Sequence, residues 1–359
     1  MTLLVSLKFI FPSPIFAQET HSIDKPVALL ETTDEMWQVR WNPKGKVFAI
    51  ATNDGLKLYD EQLQLVAQVL KGVTVFGISW RPDGEQIAVT NGKRIEIWNW
   101  DNSAKTLTPN STLTGNDKQI GVFWSPDGKR IASIEAFDCK DEIDCLSHIQ
   151  LWNGTTYQYD KLLPDIYLFV FQYAVYPAAE RMSWSKNEEP LLAIVGNTAR
   201  QEGTAYFASS NLSIFVVNVE TAKTIKQFEI GRIYGIAVDW RPKSSEIAVG
   251  GLAGADMYDA DSGEMLFYPT NFIERPTLVV WSPDGRYLAI DNQIFDALNN
   301  VNLGTFGMDS SIAADWHPNG YLLVTCDRKK IQIDDIRLFP AFIPFSETVT
   351  PSVTTEASP

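Results

Sequence analysis

A tryptophan that closes an apolar run and is followed by a Pro-Asp-Gly turn recurs along this chain, and no other feature restricts its fold as strongly. Trp41-Asn-Pro-Lys-Gly45, Trp80-Arg-Pro-Asp-Gly84, Trp124-Ser-Pro-Asp-Gly128, Trp281-Ser-Pro-Asp-Gly285 and Trp316-His-Pro-Asn-Gly320 are clear copies. Trp184-Ser-Lys-Asn-Glu188 has lost both Pro and Gly, and Trp240-Arg-Pro-Lys-Ser244 has lost the Gly. In the third copy Pro126 pre-sets φ for a type I turn, Asp127 tolerates the next position, and Gly128 supplies the positive φ of a three-residue hairpin loop with a bulge. Each copy therefore reads as a β-hairpin, with the apolar run Val122–Trp124 ahead of the turn and a second run after it.

The seven tryptophans are separated by 39, 44, 60, 56, 41 and 35 residues. A unit of about 40 residues built from short strands is the signature of a propeller blade of four strands. The fold expected is all-β, a seven-bladed β-propeller over residues 26–337. Blade one is read as strands ending at Trp41, then Val47–Ala51, Leu56–Asp60 and Leu65–Val69. The seventh copy lacks a good fourth strand, and Pro26–Glu31, just ahead of the first copy, is the candidate to complete it and close the ring.

On these residues the chain resembles the WD40-repeat family in a divergent, WD40- or TolB-like form. The resemblance rests on the Trp hairpins and on strand endings such as Tyr59-Asp60, Trp98-Asn99, Trp152-Asn153, Tyr258-Asp259 and Phe295-Asp296, which stand where that family often has Trp-Asp. Its Gly-His dipeptide is missing from every copy, so the family's buried His-to-Asp network is not expected. By resemblance, the Trp turns sit on the bottom face and the loops between second and third strands on the top face.

The two ends differ from the repeats. Met1 to Ala17 is apolar with one Lys8 and no acid, and is read as a signal peptide, leaving 18–25 as an N-terminal extension and an extracytoplasmic protein. The alternative is a hydrophobic N-terminus on a cytoplasmic protein. Residues 338–359 run into a Thr/Ser/Pro-rich tail with too little apolar surface to fold. No segment of the mature chain reaches the ~18 consecutive apolar residues of a membrane span. The net charge of -14 argues against nucleic acid, whose phosphates need clustered Lys and Arg.

Insertions at 135–147, 164–180 and 197–210 all fall on the top face of blades three and four, where long loops commonly carry function. The first holds Cys139 and Cys145 around several carboxylates. On export they are expected to form a local disulfide; in a reducing compartment they stay thiols, and a metal site would need further ligands. The second carries aromatics at alternate positions, Tyr167, Phe169, Phe171 and Tyr173, read either as one face of a lengthened strand or as an exposed patch. The three histidines, His21, His148 and His317, read as surface or turn residues. No catalytic motif, metal site or cofactor site is found. The expected function is a monomeric, non-enzymatic protein-interaction scaffold, with Asp141, Glu142, Tyr167, Phe169 and Tyr206 as contact residues. The alternative is a propeller hydrolase or carbohydrate-binding protein with acids or aromatics at the channel mouth.

Overall fold

The computed structural model describes residues 22–340 and 342, except 24, 141–143, 171–180, 188, 203–204, 231–234, 252–253, 268–277 and 308–310; side chains are not described at 138–140, 144–145, 164–170, 197–202, 205–211, 235–236 and 267. The leader, most of the C-terminal tail, Asp141 and Glu142 lie outside this set, as do the side chains of Cys139, Cys145, Tyr167, Phe169 and Tyr206.

Seven antiparallel four-stranded units follow one another along the chain. Blade 1 is β2–β5 (Met36–Trp41, Phe48–Thr52, Gly55–Tyr59, Leu65–Val69) and blade 2 is β6–β9 (Ile78–Trp80, Gln86–Asn91, Arg94–Asp101, Thr106–Thr114). Blade 3 is β10–β13 (Lys118–Trp124, Arg130–Lys140, Asp144–Asn153, Tyr159–Val170), and blade 4 is β14–β17 (Met182–Trp184, Leu191–Glu202, Ala205–Asn218, Lys223–Glu229). Blades 5 and 6 are β18–β21 (Gly235–Trp240, Glu246–Gly251, Gly254–Asp259, Met265–Phe267) and β22–β25 (Val279–Trp281, Tyr287–Ile290, Gln293–Asp296, Val301–Thr305). Blade 7 takes β26–β28 (Ala313–Trp316, Leu322–Cys326, Lys330–Asp335) and its fourth strand from β1 (Ala28–Glu31), which pairs from Ala28 opposite Ile333 to Glu31 opposite Lys330. The seam strand expected from sequence is thus in place.

Burial is graded from strand to strand. In blade 1 every residue of Phe48–Thr52 and Gly55–Tyr59 is buried, which is why these strands read as unbroken apolar runs and not as alternating ones. The fourth strands are the outer rim: Lys223–Glu229 is almost wholly exposed. Cys326 is fully buried at the end of its strand.

Neighbouring blades are joined at the tryptophans by one of two bonds, chosen by the residue just before Trp in the preceding blade. Where that residue has an oxygen on its side chain, it accepts from the next Trp backbone N–H: Ser79 from Trp124 (2.8 Å), Ser183 from Trp240 (3.0 Å), Asp239 from Trp281 (2.8 Å) and Asp315 from Trp41 (2.6 Å). Where it has none, the next Trp indole N–H donates to its carbonyl: Trp80 to Arg40 (3.1 Å), Trp184 to Phe123 (3.4 Å) and Trp316 to Val280 (3.0 Å). All seven junctions, including that between the last blade and the first, carry such a bond.

The turns below the tryptophans add a second belt. The Asn42 amide donates to the Gly84 carbonyl (2.8 Å), the Asn187 amide to Ser244 (3.0 Å) and Arg241 to Gly285 (2.7 Å), each from one blade to the next. His317 performs the same task at the seam: its Nε2 lies 2.8 Å from the Gly45 carbonyl, and its ring stands edge-on to Trp41. It sits in a turn, as read from sequence, but is buried and bridges two blades. Gly45 is required there, since its φ is +70° and a Cβ would lie 2.6 Å from His317 Nε2. In blade 5, where the glycine is lost, the left-handed residue moves one position earlier to Lys243, at φ 58°.

The Asp or Asn after the third strand caps the following turn. Asp60, Asn153, Asn218, Asp259 and Asp296 each accept two backbone N–H groups through one oxygen. The Trp-Asp-like signature here is a turn cap, not part of a histidine network. Blade 2 departs: its third strand runs on past this position to Asp101, which pairs with Thr106, so Asp101 caps the turn and Asn99 does not.

At the position that is Tyr59, Trp152, Tyr258 or Phe295 in other blades, blade 7 has Asp334, fully buried beside Gln332. Burial pushes its carboxyl up to about 6, against the opposing pull of Gln332 and the Gly307 N–H.

Two measurements test these contacts. Asp315→Ala strips the acceptor from the buried Trp41 N–H and is expected to cost about 1–3 kcal/mol in urea unfolding, most of it restored by Asn. Because Asp334 has a folded pKa above its unfolded value, its contribution is favourable below about pH 4 and is lost as pH rises through about 6. Asp334→Asn should therefore raise the unfolding free energy measured in urea at pH 8, by on the order of 3 kcal/mol at most, and leave it nearly unchanged at pH 4.

Candidate functional site

Blades 3 and 4 depart most from the repeat, and they do so together. Second strands elsewhere have four to six residues, whereas Arg130–Lys140 has 11 and Leu191–Glu202 has 12. The excess of about six residues carries each hairpin about 20 Å past its blade, on the face opposite the Trp turns. Segments read as long loops are therefore strands: Phe137 pairs with Leu146, Asn197 with Leu212, and Gln201 with Tyr206. The fourth strand of blade 3 is lengthened as well, with Phe169 opposite Leu146 and Tyr167 opposite Asn197 of blade 4. That last pairing merges the two blades into one eight-stranded sheet.

The backbone register brings several predicted residues onto this composite sheet. Lys140 pairs with Asp144 near the tip, and the register shifts between Phe137 and Lys140, so Cys139 lies in the irregular stretch of β11 and Cys145 on the other strand of the same hairpin. Tyr167 and Phe169 lie on β13, and Tyr206 near the tip of the blade 4 hairpin. At the outer rim of blade 3, Tyr159 and Leu162 are 52% and 41% exposed.

Below the blade 3 arm lies a polar cluster that sequence reading missed. Glu135, on β11, is fully buried. One of its oxygens accepts from the Asp117 N–H (2.9 Å) and the Gln119 amide (3.0 Å). The other meets His148 Nε2 (2.7 Å) and the Gln150 amide (2.7 Å). His148 is directly across the strand pair from Glu135 and is covered by Phe137, with ring centroids 4.7 Å apart. One step further down, the Trp152 indole donates to Ser133 Oγ (2.9 Å). Burial alone would raise the Glu135 carboxyl, but His148 and the N–H groups of Asp117 and Asn116 hold it below the usual glutamate value.

Chemically this carboxylate is an anchor. All its lone pairs are engaged by donors, and a depressed pKa keeps it ionised, so it has no proton to give at neutral pH. Its effect is to tie the first three strands of blade 3 together where the arm departs. Among the described residues no cluster of three His, Cys, Asp or Glu side chains is placed to hold a metal. No helix among them is long and apolar enough to cross a membrane.

The chain is a seven-bladed β-propeller, elaborated on one face, whose Trp hairpins resemble those of WD40 repeats. Residues 177–336 match the family model of the eukaryotic translation initiation factor eIF2A, which covers blades 4 to 7 and less than half of the chain. Among solved structures, hydrazine synthase of Kuenenia stuttgartiensis is similar at 14% identity and a TM-score of 0.64, over 89% of this chain and 99% of that one; the likeness is one of fold. No curated protein matches.

Glu135→Ala should cost roughly 3–5 kcal/mol, because four donors lose a charged acceptor. Since the folded pKa is depressed, Glu135 stabilises the fold above the unfolded value near 4.3 and less as pH falls through the folded one. In Glu135→Gln the acid limb of the stability curve should accordingly be shallower than in wild type, which urea midpoints between pH 3 and 7 would show.

Proposed function

We propose that the protein is a non-enzymatic, extracytoplasmic interaction scaffold whose partner is a protein held by the arms of blades 3 and 4. The observation that carries this reading is the merging of two extended hairpins into one sheet beyond the ring, braced at its base by Glu135. A rigid platform with one elaborated face suits a protein partner, and long elements of this kind are more often functional than filler. The similarity of blades 4 to 7 to the eIF2A family is compatible with a binding role. The saturated, ionised Glu135 supports binding and not proton transfer.

Within this reading Asp141, Glu142, Tyr167, Phe169 and Tyr206 are the contact residues. Cys139 and Cys145 form a disulfide that stiffens the tip of the blade 3 arm, a pairing supported by their places on the two strands of one hairpin, next to the Lys140–Asp144 pair. The mature protein works as a monomer.

The test trims each arm to an Asn-Gly turn, joining Phe137 to Leu146 and Asn197 to Leu212, which are already paired. Both variants are expected to fold with near-wild-type thermal midpoints. Photo-crosslinkers placed at Tyr167 and Tyr206 of the full chain should trap one discrete protein in the producing cells, and the trimmed variants should fail to co-purify it. Unchanged co-purification by the trimmed protein would remove the arms from the binding surface.

A further inference from the structure

The overrun of the third strand in blade 2 opens a second site, on the face opposite the arms. A cavity of about 410 Å³ lies where the Trp turns of blades 1 and 2 meet the extended turn of blade 2. That volume falls within the usual small-molecule range of roughly 300–1,000 Å³. It forms here because β8 overruns its blade: Arg94–Asp101 continues past the position at which other third strands end, and the turn it carries becomes a wall.

The overrun also changes what one residue does. Asn99 stands at the position where Asn153, Asp259 and Asp296 cap their turns, but Asp101 has taken that task. Asn99 Oδ1 accepts from Gln86 (2.8 Å) and Asn110 (2.7 Å), while its N–H2 group has no acceptor among the described residues. Asp101 uses Oδ1 for the cap, and its Oδ2 carries no hydrogen bond there. Arg81 lies over the Trp124 ring, 5.7 Å from its centroid, and its polar contacts are at 3.4 Å, to Gln86 and to Asp83. An amide donor, a carboxylate acceptor and a guanidinium are thus left with hydrogen-bonding capacity around one cavity.

The charges of the lining cancel. Lys44 and Arg81 face Glu85 and Asp101, with Lys44 3.1 Å from Glu85. A net-neutral site in a chain of charge -14 offers no surplus of cations for a phosphate and no surplus of acids for a metal ion. What it offers is donors and acceptors side by side, and a hydroxyl is both at once. We infer that this cavity binds a neutral polyhydroxylated ligand, a carbohydrate, through Asn99, Asp101 and Arg81. It stands apart from the arms, so loss of one site leaves the other.

The test is saturation-transfer NMR and calorimetry on the full chain with glucose, mannose, galactose and N-acetylglucosamine, and with inorganic phosphate. At least one of the sugars should bind wild type, with affinity at least tenfold weaker in Asn99→Ala and in Asn102→Trp; the latter places a bulky ring at an exposed position of the wall and leaves the core untouched. Circular dichroism and thermal midpoints identify a variant that has failed to fold, in which case the other variant decides. Absence of binding by every sugar, equal binding in both variants, or binding of phosphate in place of sugar would each overturn the assignment.

Discussion

Each blade is anchored to the next by a nitrogen of its tryptophan, and the ring depends on that bond. Burial of the indole brings two N–H groups, backbone and side chain, to the junction between blades, and a buried donor left without an acceptor is costly. The residue before the preceding tryptophan decides which donor is used. Ser79, Ser183, Asp239 and Asp315 offer an oxygen to the backbone, and the indoles of Trp41, Trp124 and Trp281 then make no bond of their own. Arg40, Phe123 and Val280 offer only a carbonyl, and the indole turns to it. One short segment per blade can thus diverge in sequence without loss of the contact that sets the angle between blades.

That tolerance frees the outer and upper parts of the blades to change. Blade 4 has lost the Pro and Gly of its turn yet keeps both its junctions, through Trp184 and Ser183. With the inner ring secure, strands 2 to 4 of blade 3 and strands 2 and 3 of blade 4 extend beyond it, and Glu135 joins the blade 3 extension to the ring through contacts to the strands on either side of its own. The same independence lets β8 run on to Asp101 without disturbing the junctions at Trp80 or Trp124.

The ring was legible in the sequence because its signals are local. Trp, Pro, Asp and Gly within five residues specify a hairpin, and counting hairpins specifies the blades. The seam strand was found by noticing that the last copy lacked one. The arms were legible as insertions but not as strands, since Thr198-Ala-Arg-Gln-Glu-Gly-Thr-Ala205 has weak β propensity and gains its structure from pairing. Glu135 stood at the start of the insertion 135–147 with no signal of its own; its burial depends on His148 and Gln150, more than a dozen residues later. The displaced cap at Asn99 was hidden because the overrun of β8 to Asp101 comes from its pairing with Leu107 and Thr106, which no residue type announces.

The seam also sets an order of events. Ala28–Glu31 is among the first structured segments to be synthesised, and its partner Lys330–Ile333 among the last. Until that partner appears, every blade can form its local hairpins, but the ring stays open, with one strand waiting and one sheet edge unsatisfied. Closure across some three hundred residues is the entropically slowest contact in the chain, and it comes after the elements it joins. A nascent propeller of this design therefore presents an exposed edge for most of its synthesis, when pairing with a neighbouring chain is the competing outcome. The four-residue length of β1 keeps that edge short.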